Sequence, residues 1–238
     1  MKIIDIRDKL KELDSPVEEI SLGDFDVIGH YTANKPRPRG SELYNKHGCF
    51  FRANYERGIL AYTLVKKFGI ESFLEIGFGS GYTTLCVAKA MLDAGIDGKI
   101  TTVDPNFNQE RINMLTQVFP KEWFQNINFV NQKSQDFLAQ NEQNFDYIYI
   151  DGDHTYSAVK TDWELSKNKF NKILVFDDYH LPTKAGSQKE IECAKLIDEI
   201  DDFEKELIIM DRRIFLDDRG WPDEKIDYGQ VLIQRGDK

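Results

Sequence analysis

The sequence predicts a doubly wound, mostly parallel α/β sheet of seven strands with an antiparallel hairpin at one edge, and three observations carry that prediction. Short apolar runs alternate with amphipathic stretches from Phe73 onward, the pattern of a parallel sheet covered by helices on both faces. The first run, Phe73-Leu74-Glu75-Ile76, turns abruptly into glycines at alternate positions, Gly77, Gly79 and Gly81, and a helix follows with Leu85, Ala88, Met91 and Leu92 at helical spacing. A strand, a tight glycine turn and a helix open a nucleotide-binding α/β domain. Finally, the last two apolar runs follow closely on one another, which predicts the hairpin.

Residues 2–14 place Ile3, Ile6, Leu10 and Leu13 on one helical face. They predict an amphipathic helix packed on the domain or on a second subunit, so a homodimer is open. Residues 33–40 combine two prolines with Lys35, Arg37 and Arg39, and they read either as a solvated linker or as a flap facing an acidic substrate. Residues 1–50 are therefore expected to form an N-terminal extension and 51–238 the main domain. A helix is predicted from Arg52 to Phe68, with Leu60, Leu64 and Phe68 inward.

Beyond the glycine turn, strands are predicted at Lys99 to Asp104, Ile127 to Val130, Asp146 to Asp151 and Lys172 to Asp177. Ile112, Leu115 and Phe119 mark one intervening helix, and Val159 and Trp163 another. A helix over 187–201 precedes strands at Glu206 to Met210 and Gly229 to Gln234, which flank a polar excursion at 211–228 containing Trp221-Pro222.

Composition narrows the function classes. Hydrophobic residues make up 41% and charged residues 30% of 238, enough for one sizeable core. A formal net charge of −10 argues against a nucleic-acid backbone as main partner, which needs a concentrated basic face. Cys49, Cys86 and Cys193 are odd in number and scattered, which predicts reduced thiols and an intracellular setting. The N-terminal residues lack an uncharged apolar core and no apolar run approaches spanning length. A cytoplasmic protein acting on a small molecule, with no membrane partner, is the expectation.

The glycine spacing points to a particular ligand. A dinucleotide fingerprint reads G-x-G-x-x-G, whereas here Glu75 precedes G-x-G-x-G. That pattern resembles motif I of the class I S-adenosylmethionine-dependent methyltransferases, a Rossmann-like fold in which the antiparallel hairpin is expected. The resemblance implies S-adenosylmethionine as cofactor, with Glu75, Gly77, Gly79 and Gly81 around it. Gly77 would permit a backbone conformation that a side chain forbids, and Gly79 a close approach of main chain to ligand. Thr83 is similar to the hydroxyl residue that meets the methionine carboxylate in that family. Asp104, at a strand end, reads as a ribose ligand or a helix cap. Ser134 and Gln135, with Asp136, resemble the Ser-Gln-Asp stretch that contacts adenine in catechol O-methyltransferase, and equally an N-cap with its first helical turn.

Two further stretches carry the chemistry, Ile150-Asp151-Gly152-Asp153-His154 and Phe176-Asp177-Asp178-Tyr179-His180. Neighbouring strands lie about 4.8 Å apart, so Asp151, Asp177 and Asp178 should converge at the cleft mouth. Two carboxylates about 4 Å apart repel by roughly 4 kcal/mol at an effective dielectric near 20. Three together need a cation, a shared proton or divergent side chains. An all-oxygen cluster selects a hard divalent ion, Mg²⁺ first, then Mn²⁺ or Ca²⁺.

The arrangement resembles the metal-dependent O-methyltransferases of the catechol, caffeoyl-coenzyme A and macrolide types. By that resemblance Asp151, Asp177 and Asp178 hold the metal. Where the catechol and caffeoyl enzymes place a catalytic Lys, this sequence has His154, as in the macrolide type. His154 and Asp151 are thus the candidate catalytic residues, with His154 a general base. The alternative is that Asp153 and His154 cap the following helix. His180, Tyr82, Trp221, Arg212, Arg213 and Arg219 are weaker pocket candidates.

Metal-dependent O-methylation of neighbouring oxygens leads. Metal-independent methylation of an amine, carboxylate or sugar comes second. A silent cofactor-binding module and an oxidoreductase follow.

Overall fold

The computed structural model describes residues 1–16, 52–179, 192–209 and 229–236, and side chains from 57 onward within the second of these. The expectations for 33–40, 211–228, Cys49 and His180 lie outside them, as does the first part of the predicted 187–201 helix.

The chain runs β1 (Lys2–Asp5), α1 (Ile6–Glu12), α2 (Arg52–Phe68), β2 (Ser72–Ile76), α3 (Tyr82–Asp93), β3 (Lys99–Val103), α4 (Gln109–Val118) and β4 (Ile127–Val130). It continues with α5 (Ser134–Gln140), β5 (Phe145–Ile150), α6 (Tyr156–Ser166), β6 (Phe170–Tyr179), α7 (Cys193–Glu199), β7 (Lys205–Ile209) and β8 (Gly229–Gln234). All eight strands join one sheet in the order β1-β7-β8-β6-β5-β2-β3-β4. Among these described strands only β8 runs against its neighbours, antiparallel to both β6 and β7.

Strand alternation divides the core. Phe73, Tyr147, Tyr149, Ile173 and Val175 face a cluster with side chains of α1 to α4. Their neighbours Leu74, Ile148, Ile150, Leu174 and Phe176 face the other side, against α6 and α7. Two apolar faces on one sheet are what a doubly wound fold requires.

Among the described residues the expected count of seven strands is corrected to eight. Residues 2–5 are a strand parallel to β7 rather than the first turn of a helix, and Ile3 is 59% exposed. The helix begins only at Ile6 because Asp5 caps it, its carboxylate accepting from the Arg7 N–H at 2.9 Å. The extended residues before that cap satisfy their backbone groups on β7. As a result β1 forms the outer edge, and the antiparallel pair of β7 and β8 lies one place inside it. Among the described residues no helix is long and apolar enough to cross a membrane.

Candidate active site

Strand order reverses between β2 and β5, whose successors lie on opposite sides of the sheet. In open α/β sheets the crevice at the carboxyl ends of such strands is where ligands bind. Gly77 leaves β2 there with φ of +90°, and a Cβ on it would sit 2.1 Å from the Asp151 carbonyl oxygen. The Asp151 N–H in turn donates to the Ile76 carbonyl at 2.8 Å. Gly79, at φ +52°, has no heavy atom within 4 Å of the place its Cβ would take. Its N–H points at Asp104 Oδ2, 3.3 Å away, while Asp104 Oδ1 accepts from the Asn106 N–H at 2.7 Å.

The other cofactor candidates differ in accessibility. Glu75 is buried beneath α3, where Oε2 accepts from the hydroxyls of Thr84 and, at 3.0 Å, Thr102. Thr83 is the second residue of α3 and is buried too. Ser134 opens α5, its hydroxyl bonded to the buried Asp162 carboxylate on α6, while Gln135 is exposed. Tyr82 is buried in the core at the start of α3.

Burial pushes the Glu75 carboxyl up to about 8, against the opposing hydrogen bond from Thr84. A native state that keeps a proton which the unfolded chain releases near 4.5 loses stability as pH rises toward 8. The loss is on the order of a few kcal/mol, at about 1.4 kcal/mol per unit. Glu75→Gln should remove this slope, so urea midpoints of variant and wild type should diverge in favour of the variant between pH 5.5 and 8.5. Parallel curves would show that Glu75 is ionised in the native protein.

Three groups meet at the ends of β5 and β6. His154 Nε2 lies 3.0 Å from Asp178 Oδ2 and 3.5 Å from Asp151 Oδ1. His154 does not cap α6: Asp153 accepts from the Thr155 N–H at 3.0 Å, and Glu192 accepts from the Tyr156 N–H at 3.2 Å. Burial works to lower the His154 pKa and is outweighed by its bonds to Asp151 and Asp178, which raise it to about 10. The imidazole is therefore protonated at neutral pH.

Asp177 takes a different direction from Asp151 and Asp178. Its side chain is fully buried, and Oδ2 accepts from the Tyr149 hydroxyl at 2.6 Å, while Oδ1 accepts from Gln230 Nε2 at 3.3 Å and the Asp178 N–H at 2.8 Å. Burial raises its carboxyl to about 7, with Arg57 opposing. Arg57 on α2 pairs with both aspartates, Nη1 to Asp177 Oδ2 at 2.8 Å and Nη2 to Asp178 Oδ1 at 2.9 Å. Desolvation disfavours charge on Asp178, yet Arg57 and His154 hold it below the usual carboxylate range.

Among the described residues, Asp151, His154 and Asp178 each offer a ligand atom, all within 4.8 Å of one another. Two carboxylate oxygens and an imidazole nitrogen fit a divalent ion such as Mn²⁺ or Mg²⁺. Asp177 stands outside this group. The sequence reading missed Arg57, Tyr149, Gln230 and Thr84. Arg57 did leave a signal, since it precedes Leu60 and Leu64 by three and seven residues and so carries a charge onto the inward stripe of α2.

Residues 74–179, from β2 to the end of β6, match the family model of a methyltransferase domain. That segment is similar to methyltransferase domains. No curated protein sequence matches the chain. Among solved structures, one from Staphylococcus aureus described as a caffeoyl-CoA O-methyltransferase superposes with a TM-score of 0.57 at 16% identity, covering 97% of this chain and 100% of that one. The O-methyltransferase TomG from Streptomyces achromogenes, involved in tomaymycin synthesis and in complex with SAM, gives 0.51 at 14% identity over 91% and 100%. An O-methyltransferase from Bacillus cereus in complex with SAH gives 0.51 at 14% over 90% and 100%. These likenesses show the fold, and Asp151, His154, Asp177 and Asp178 all lie inside the segment that the family model matches.

Proposed function

We propose that this methyltransferase transfers a methyl group from S-adenosylmethionine to a hydroxyl of a small molecule with neighbouring oxygens, and that Asp151, His154 and Asp178 form its reaction centre. The convergence of these three side chains beside the glycine turn carries the reading. The SAM- and SAH-bound structures of the same fold support the cofactor. Gly79 has open space beside it, and Asp104, beside the Gly79 N–H, is the carboxylate we assign to the ribose hydroxyls.

A divalent cation held by Asp151 and Asp178, with His154 beside it or as third ligand, would neutralise charge and acidify an oxygen bound to it. The residues themselves bind and orient the acceptor and manage its proton. Every carboxylate charge withdrawn from His154 lowers its pKa toward the ordinary value near 6.5, where the imidazole accepts a proton. Holding acceptor and methyl donor at near-attack distance supplies much of the acceleration.

A metal-independent version of the same reaction is favoured by one observation: Arg57 pairs with both Asp177 and Asp178, and His154 Nε2 lies 3.0 Å from Asp178. Methyl transfer from labelled S-adenosylmethionine to a panel of vicinal diols, catechols and hydroxy acids, with and without EDTA, separates the two. Loss of about 100-fold or more on chelation, restored by Mn²⁺ or Mg²⁺, is the expected result. Full activity under EDTA selects the metal-independent version, and a protein that does not bind S-adenosylhomocysteine refutes both.

A further inference from the structure

Asp177 and Asp178 are consecutive on β6, and in a regular strand their side chains would leave opposite faces. Two local features cancel that alternation. The pairing of β6 with β8 shifts register between Phe176 and Tyr179, and Asp178 adopts φ of +56°, a conformation uncommon for any residue but glycine. Both carboxylates consequently reach one cation. The Arg57 side chain is 12% exposed, that of Asp177 0% and that of Asp178 10%, so the group is shielded from bulk water. A planar guanidinium fork can serve two separate oxygens at once, which a single ammonium cannot match.

The same aspartate belongs to two constellations. Oδ1 of Asp178 meets Arg57 at 2.9 Å and Oδ2 meets His154 at 3.0 Å, while Asp178 is also a member of the Asp151–His154–Asp178 donor group. A divalent ion drawn to that group would share a carboxylate with a guanidinium. Like charges on one acceptor repel strongly where water is excluded.

We propose that Arg57 is the resident counter-cation of this site and sets how readily a divalent ion occupies it, metal entry requiring Asp178 to release or share the guanidinium. The inference rests on the reading of Asp151, His154 and Asp178 as the reaction centre and adds the residue that regulates its metal occupancy. Arg57 acts here through Asp178 and is a positioning residue.

Mn²⁺ titration followed by electron paramagnetic resonance reads this without turnover. Arg57→Gln should bind Mn²⁺ at least tenfold tighter than the wild type, and Arg57→Lys should fall between them. Because loss of Arg57 leaves buried carboxylates uncompensated, the double variant Arg57→Gln with Asp177→Asn is measured too. It has the formal net charge of the wild type, so its tighter binding reports the freed Asp178 more than the overall field. Adding Asp178→Asn should erase the gain. Mn²⁺ affinity at or below wild type in the folded double variant overturns the proposal, and so does a gain that survives Asp178→Asn. Calorimetry with S-adenosylhomocysteine on the same wild-type preparation is scored separately: no binding refutes the methyltransferase reading, while the Mn²⁺ comparison still decides the role of Arg57.

Discussion

Replacing His154 with alanine should lower kcat by about 10²- to 10⁴-fold, the usual contribution of a positioned acid–base group, while S-adenosylhomocysteine affinity stays within about threefold. The two effects separate because His154 contacts Asp151 and Asp178, whereas the glycine turn and Asp104 directly follow β2 and β3. His154 contributes little to holding the loop, since Asp153 and Glu192 satisfy the N–H groups that open α6. Single-turnover kinetics with saturating cofactor would locate the loss in the chemical step. Turnover unchanged in the alanine variant would remove His154 from the reaction centre, whatever the metal dependence.

Gly77→Ala should be destabilising by about 2–5 kcal/mol and should abolish cofactor binding. A non-glycine residue in a left-handed conformation is disfavoured by roughly 1–2 kcal/mol, and overpacking a tight site adds about 1–3 kcal/mol. Here the obstacle is the Asp151 carbonyl, 2.1 Å from the new Cβ, and that carbonyl is fixed because the Asp151 N–H is bonded to Ile76. Gly79→Ala is the matching control. It also has positive φ but nothing within 4 Å, so its stability loss should be only the roughly 1–2 kcal/mol of the left-handed conformation while its cofactor affinity falls at least tenfold. Urea denaturation and calorimetry on the pair distinguish a glycine needed for the fold from one needed for the ligand. Equal stability losses would mean that β5 moves aside at Gly77.

The doubly wound fold was legible because its signals are local. The unbroken apolar runs within Asp146 to Asp151 and Lys172 to Asp177 follow from strands buried on both faces, and three glycines at alternate positions announce a turn that backbone sterics nearly require. The start of the chain was less legible. Ile3, Ile6, Leu10 and Leu13 satisfy a helical period, yet residues 2–5 pair with β7, some two hundred positions away. No window around Ile3 contains that partner.

The site divides in the same way. The sequence places Asp151, Asp177, Asp178 and His154 at strand ends and in a short loop, and so predicts their neighbourhood, with the three aspartates as the expected metal set; the grouping of Asp151 with His154 and Asp178 comes from the fold. Which charge meets which was decided by tertiary structure. A register shift and one left-handed aspartate turn Asp178 toward both Arg57 and His154, and Asp177 goes inward to Tyr149 and Gln230. Arg57 stands 120 and 121 residues before those aspartates. Electrostatic pairing depends on distance in space and on exclusion of water, and neither quantity is carried by the order of residues along the chain.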